Sequence, residues 1–111
     1  METKAVEALV EPIDDVYLGQ LVAGDRMSVQ YYRIEPGAHV PLHDHPHEQA
    51  GFLFEGELVW IDADGTETIV HADTSYVLAG SEPHAVENRT DIPAVGVELF
   101  SPPRPNPDWL E

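Results

Sequence analysis

Turn-forming residues interrupt this sequence at short intervals, and that spacing favours short strands over long helices. Eight glycines and ten prolines are distributed over 111 residues. Between them, apolar and polar residues alternate in short segments such as Met27–Ile34 and Glu57–Asp62, a period of two that is typical of a half-buried strand. Asp64-Gly65, at the end of one such segment, favours a hairpin turn. About eight or nine short strands are expected, which predicts an all-β sandwich or barrel.

The two ends of the chain differ from this β-like middle. Residues 1–15 mix alanine, valine and glutamate and are predicted to form a short helix or a loose arm. Four prolines between residues 102 and 107 lack the N–H donor of a ladder, so the tail is not expected to be a central strand. Trp109 and Leu110 are expected to pack the end of the tail onto the barrel. No linker is visible, so residues 1–111 are predicted to be one domain with its core at about residues 16–104.

The charge balance excludes several classes of partner. The chain carries 21 acidic and five basic residues, for a net charge of −16, so nucleic acid and anionic membrane surfaces would repel it. The acids are spread along the chain, which predicts a protein adapted to high salt; an ordinary acidic bacterial protein is the alternative. No apolar run is long enough for a membrane span, and the amino terminus lacks the apolar segment of a secretory signal. We therefore expect a cytoplasmic protein.

A cluster of histidines indicates a metal site. His43, His45 and His47 alternate, and alternate side chains of a strand share one face, so two of them can reach one ion. Pro46 makes it doubtful that the chain runs straight enough for His47 to join them. Without cysteine, any site must use imidazole, carboxylate, amide or water ligands. His39 and His71 stand apart and are expected at the surface or at the mouth of a barrel.

The surroundings of this cluster resemble the two sequence motifs of the cupin superfamily. The first motif is similar to the spacing of Gly37, His43-Asp44-His45, Gln49 and Gly56, although Glu is usual where Gln49 stands. The second, about 15 residues further on, resembles the stretch from Ala72 to Asn88. It departs from the family pattern in having Leu78 in place of Pro, Ala72 in place of Gly, and one extra residue between Gly80 and His84.

The resemblance implies a fold and a ligand set. The fold would be a single-domain double-stranded β-helix, or jelly-roll barrel, with a short N-terminal arm. Carried over by position, the ligands of one divalent metal ion per chain (Ni, Zn, Fe or Mn) would be His43, His45, Gln49 and His84. Glu48 is the rival of Gln49, but neighbouring residues of a strand point to opposite faces. Cupins of this size commonly form homodimers through sheet edges, and we expect the same here.

A narrower resemblance concerns two short stretches, Pro41–Gln49 and Phe100–Arg104, which are similar to the KdgF family. That family opens the ring of 4,5-unsaturated uronates to give linear keto sugars. Its functional residues beyond the metal ligands would correspond to Glu98, Phe100 and Arg104, with Glu98 in place of the usual Asp.

The residue types themselves suggest chemical roles for these three residues, independently of the family resemblance. Glu98 and Phe100 share a strand face, a carboxylate there can act as general acid or base, and Arg104 can hold a substrate carboxylate. The alternatives are a metal-dependent dioxygenase or lyase acting on another small molecule, and a cupin that binds a metal or ligand without turnover.

Overall fold

The computed structural model describes residues 1–105, and these residues form strands and connecting loops. The expected packing of Trp109 and Leu110 lies outside the described residues. Within residues 1–105 there are ten strands: β1 Val10–Ile13, β2 Val16–Ala23, β3 Ser28–Ile34, β4 His39–His43, β5 Glu48–Glu55, β6 Glu57–Ile61, β7 Glu67–His71, β8 Thr74–Leu78, β9 His84–Glu87 and β10 Ala94–Ser101. No helix in this range is long and apolar enough to cross a membrane.

Two antiparallel sheets face each other across one core. The six-stranded sheet has the order β1-β2-β3-β10-β5-β8, and the four-stranded sheet has the order β4-β9-β6-β7. Large apolar side chains of both sheets meet in a single buried cluster, which includes Tyr32, Leu53, Leu58, Trp60 and Val86. The predicted all-β barrel is therefore confirmed.

The N-terminal segment was predicted incorrectly in part. Residues 1–9 form an arm without regular structure, but Val10–Ile13 is a strand paired with β2, not the end of a helix. The reason is the hairpin at Asp14-Asp15, where Asp15 adopts a positive φ of 65° and donates its N–H to the Glu11 carboxylate at 2.8 Å. Aspartate tolerates that backbone conformation in turns, so the two short apolar stretches on either side can pair.

Strict alternation in β3 and β10 decides which side chains enter the barrel. Every second residue of each strand is buried and the residues between them are half-buried. The two strands are paired in register, with Glu98 opposite Gln30 and Phe100 opposite Ser28. The inward row of this central pair therefore contains polar groups deep inside a largely apolar barrel.

Two glycines make room for a pair of interior tyrosines. A Cβ atom on Gly96 would lie 2.5 Å from both the Phe52 carbonyl oxygen and the Tyr32 hydroxyl, and one on Gly51 would overlap with the Tyr76 ring. The Tyr76 hydroxyl donates to the Tyr32 hydroxyl at 3.2 Å. The absence of side chains at these two positions of the sheet thus allows both rings to lie flat against its backbone.

Gly96→Ala should lower the free energy of unfolding by about 1–3 kcal/mol, because the added methyl group forces the Tyr32 ring or the backbone to move. Gly24→Ala is the matched control, since its Cβ would meet nothing closer than the Met27 carbonyl oxygen at 3.9 Å. Urea denaturation of both variants measures the difference. Equal stability of the two variants would show that the barrel accommodates a methyl group at Gly96.

Candidate metal centre and cavity

Three histidines from two chain segments meet at one end of the barrel. His43 ends β4 and pairs across the small sheet with His84, the first residue of β9, while His45 follows in the loop after β4. The ring centroids of His43 and His84 are 4.3 Å apart, and those of His45 and His84 are 5.2 Å apart. One ring nitrogen from each lies within 4.8 Å of the others, so the three can share one ion.

Backbone carbonyls orient two of the three rings. His43 Nδ1 donates to the Pro41 carbonyl oxygen at 2.9 Å, and His84 Nδ1 donates to the Glu82 carbonyl oxygen at 2.8 Å. Since a carbonyl only accepts, the proton is on Nδ1, and Nε2 is left with the lone pair that a metal needs. Burial also lowers the pKa of His84, and lowers that of His45 to about 4, which keeps both rings neutral at physiological pH.

Gln49, the fourth ligand that the cupin resemblance implied, lies beside the histidines on the opposite sheet. It is buried on β5, and its Oε1 accepts a hydrogen bond from His45 Nε2 at 2.8 Å. An ion held by both groups would take the place of that proton. Glu48 is exposed, because successive residues of β5 point to opposite faces.

The chemistry of this donor set suits a divalent transition-metal ion. Three neutral imidazoles and an amide oxygen leave the charge of the ion uncompensated, which preserves its strength as a Lewis acid. The His43 side is exposed, so water or a small molecule can approach.

The remaining histidines do not belong to the convergent set. His47 packs beside it, with its ring centroid 5.4 Å from that of His45, but it is not among the three histidines whose nitrogens converge. His39 and His71 are exposed and lie 3.9 Å and 3.0 Å from the carboxylates of Glu87 and Glu57. Both histidines therefore lie at the surface, as the sequence predicted.

A cavity of about 300 Å³ opens beside the histidines and extends into the barrel. Its wall is mainly apolar, with polar groups at a few positions. Besides the four candidate ligands, it is lined by Gln30, Tyr32, Trp60, Glu98, Phe100 and Arg104, and elsewhere by residues such as Val16, Leu18, Ile34, Val40 and Val86. An apolar pocket with few convergent polar groups is the usual form of a small-molecule site.

Glu98 is the buried carboxyl group of this cavity. It lies on β10 between Gln30 of β3 and Gly51 of β5, and its Oε2 is buried without a hydrogen-bond partner among the described residues. Burial raises the pKa of Glu98 to about 8, and the positive charge of Arg104 opposes that rise. At neutral pH the group therefore holds a proton that it can transfer.

Phe100 and Arg104 connect Glu98 to the histidines. The Phe100 ring centroid is 5.6 Å from that of His45, and the Arg104 guanidinium carbon lies 5.4 Å from the Phe100 ring centroid. The Arg104 backbone N–H donates to Ser28 Oγ at 2.8 Å, which ties the segment after β10 to β3. All three residues singled out in the Glu98–Arg104 stretch thus line the same cavity as the candidate ligands.

Sequence reasoning missed Gln30, Tyr32 and Trp60 as cavity residues. Trp60 lies on β6 with its ring centroid 5.8 Å from that of His84. A signal for the first two was present, because Ser28, Gln30 and Tyr32 occupy one face of an alternating strand. Polar groups on the face that should be buried indicate a lined cavity.

Comparison with known proteins agrees with this geometry. Residues 30–100 match the Cupin domain family, and the chain belongs to that family. Because this match covers most of the chain, it includes the candidate ligands on β4, β5 and β9 and in the loop after β4, and the strand that carries Glu98 and Phe100.

One curated relative is similar in sequence, and several solved structures are similar in fold. The tetracenomycin polyketide synthase protein TcmJ of Streptomyces glaucescens is 32% identical over 79 residues, which cover 70% of this chain but only about half, 52%, of that protein. The structure of KdgF from Halomonas sp. superposes with a TM-score of 0.78 at 16% identity, covering 88% of this chain and 90% of that one. The polyketide cyclase RemF of Streptomyces resistomycificus gives 0.74 at 18% identity, over 84% and 69%.

Replacing either His43 or His84 with Ala should abolish tight binding of one divalent ion per chain, because each removes an imidazole from the convergent set. His71→Ala is the control, since His71 is an exposed histidine outside the cluster. Isothermal titration with Zn²⁺ or Ni²⁺ after chelation measures the stoichiometry. One ion per chain in all three variants would place the metal elsewhere.

The apo protein should lose stability as the pH rises from about 4.5 to 8. Folding raises the pKa of Glu98 from its ordinary value of 4.5 to about 8, so the folded state binds the proton more tightly and deprotonation favours unfolding. Glu98→Gln should remove this contribution to the slope of the unfolding free energy against pH. Glu48→Gln, at an exposed carboxylate, should leave that slope unchanged. Urea midpoints between pH 6.5 and 8.5 measure the slope, and the comparison of the two variants cancels the contribution of the histidines, whose ordinary pKa is about 6.5. A slope unchanged by Glu98→Gln would mean that Glu98 is ionised in the fold.

Proposed function

We propose that this cupin is a metal-dependent enzyme that opens the ring of 4,5-unsaturated uronates to linear keto sugars. The observation that carries the proposal is one cavity that holds a buried carboxyl group, Glu98, together with three convergent histidines and Arg104. The fold similarity to KdgF and the Glu98–Arg104 stretch of the sequence support it.

Arg104 would hold the carboxylate of the substrate. It is the basic residue that lines the cavity of a chain with a net charge of −16, and a guanidinium can donate two parallel hydrogen bonds to a carboxylate. A local cation is needed here because the overall field of the protein repels an acidic substrate.

Glu98 would move the proton. Opening the ring of such a substrate leaves an enol, and the enol becomes a ketone when one proton is added at carbon and one is removed from the enol oxygen. A single carboxyl group can do both in turn and end in its starting state. The bound ion would supply Lewis acidity at a substrate oxygen, and the apolar wall would exclude competing water.

A second candidate function is the cyclisation of a linear polyketide chain. The sequence relative belongs to a polyketide synthase, and RemF is a polyketide cyclase. The apolar wall of the cavity, which includes Val16, Leu18 and Ile34, favours a flat, poorly hydrated substrate over a sugar. The two reactions share proton transfer next to a carbonyl, so the same residues would serve either one.

Glu98→Gln should lower the turnover of an unsaturated uronate by about 10²–10⁴, the usual worth of one general acid–base group, while the metal content stays near one per chain. Loss of absorbance of the conjugated double bond measures the rate. Arg104→Ala should mainly raise KM, because a clamp on a non-reacting carboxylate contributes to uniform binding. Glu48→Gln, an exposed neighbour of Gln49, should behave as the parent.

The outcomes separate the two candidates. If the metal-loaded parent leaves the uronate unchanged but cyclises a linear polyketide chain, the second candidate function is correct and the first is wrong. Full activity of both Glu98→Gln and Arg104→Ala on the uronate would show that the reaction does not use the cavity as described.

A further inference from the structure

A row of polar side chains crosses the inner face of the six-stranded sheet. Strand pairing places Gln20 of β2 opposite Gln30 of β3, and Gln30 opposite Glu98 of β10. Residues directly opposite each other point to the same face, so all three side chains face the interior. Gln30 and Glu98 are only 5% and 9% exposed. Buried polar groups are normally hydrogen-bonded, so a row of this kind requires partners.

Two atoms of this row stand unpaired on the wall of the cavity. Gln30 Oε1 and Glu98 Oε2 are buried, and neither has a hydrogen-bond partner among residues 1–105. Both residues line the cavity. Because directly opposite residues have Cβ atoms about 5 Å apart, the two side chains start close together, and yet these atoms are not bonded to each other. One ligand group can therefore reach both.

The chemistry of the two atoms selects a hydroxyl group. Gln30 Oε1 only accepts hydrogen bonds, whereas the protonated Glu98 carboxyl group can donate one. A hydroxyl donates and accepts at the same oxygen, so a single hydroxyl satisfies both. A carbonyl would accept from Glu98 and leave Gln30 Oε1 unpaired, and an apolar group would leave both unpaired, which is costly for buried groups.

We propose that Gln30 is a specificity-determining residue whose side-chain oxygen accepts a hydrogen bond from a ring hydroxyl of the substrate, beside Glu98. The inference rests on the proposed function for the identity of that substrate. The hydroxyl is the one on the ring carbon next to the double bond, because Glu98 has to reach the adjacent alkene carbon to deliver its proton. Binding this hydroxyl would hold the carboxyl group at the carbon that it protonates.

The same pair of residues distinguishes between the two candidate substrates. A linear polyketide presents ketone oxygens, which only accept, whereas an unsaturated uronate has ring hydroxyls. The apolar wall, which includes Val16 and Leu18, can pack against the carbon skeleton of either one. Gln30 is therefore the position at which the cavity would select a hydroxylated ring, since a site that hydrogen-bonds a hydroxyl rejects the analogue that lacks it.

Gln20 provides a matched control for Gln30. It is the same residue type in the same row, and its amide atoms are likewise buried without a partner in the described part of the chain. It lies outside the lining of the cavity. Replacing Gln with Met removes the polar atoms and keeps a side chain of similar length. Disturbance of the row would therefore affect both variants, whereas loss of a ligand contact would affect Gln30→Met alone.

The methyl glycoside of the 4,5-unsaturated uronate is the probe, because its ring cannot open and binding is measured apart from turnover. One matched glycoside lacks the hydroxyl next to the double bond, and a second lacks the other ring hydroxyl. Isothermal titration of each glycoside into the Zn²⁺-loaded parent, Gln30→Met and Gln20→Met gives the dissociation constants. Circular dichroism checks that the variants fold, and the comparison of ligands on the parent needs no variant.

The parent should bind the glycoside without the hydroxyl next to the double bond about ten- to a hundredfold more weakly than the complete glycoside, the usual effect of leaving a buried group unpaired. Gln30→Met should reduce this difference at least about fivefold, since the two changes remove the same contact. Gln20→Met should discriminate as the parent does. Equal affinity of the parent for these two glycosides would overturn the proposal. So would a loss confined to the other hydroxyl, or an equal reduction in Gln20→Met.

Failure of the proposed function would give a different result. A parent that discriminates between the glycosides but does not consume the free uronate, followed by the absorbance of its conjugated double bond, would keep the role of Gln30 and refute the ring-opening reaction. A parent that consumes the uronate but binds the glycosides equally would keep the reaction and refute the role of Gln30. Absence of binding by the complete glycoside would also overturn the role of Gln30.

Discussion

The pairing of β10 with β3 on one side and β5 on the other is the interaction on which the site depends. It places Glu98 between Gln30 and Gly51, and it brings Phe100 opposite Gln49. Because side chains alternate along a strand, a slip of one residue would turn Glu98 out of the barrel and bring Val97 in. The ladder of backbone hydrogen bonds therefore determines which groups meet the histidines of the other sheet.

The cavity combines groups that are individually costly to bury. Glu98, two glutamines and Tyr32 line the largely apolar cavity, and each would be destabilising if charged or unpaired. The structure reduces the cost by keeping protons in place: burial raises the pKa of Glu98 and of both Tyr32 and Tyr76. Neutral imidazoles at His45 and His84 follow from the same desolvation.

The sequence predicted what depends on local pattern and short motifs. Period-two alternation identified most strands, and the alternation of His43 and His45 indicated a metal site. The resemblance to the cupin motifs added His84, and the structure brings the three together. Strand β1 was missed because the tight turn at Asp14-Asp15, which pairs it with β2, was not recognised in the sequence. The cavity role of Gln30 was missed because it depends on the pairing of β3 with β10, which are distant in sequence.

The two-sided use of β10 has a consequence for how this protein can evolve. From Gly96 to Phe100 each residue either faces the cavity and the tyrosines or is half-buried on the outer face of the sheet, so few substitutions in this segment are neutral. Strand β7 is mostly exposed at the edge of the other sheet, and drift should concentrate there. Among natural variants, β10 should change slowly as a block, and a new substrate preference should arise first from the walls contributed by β2 and β4.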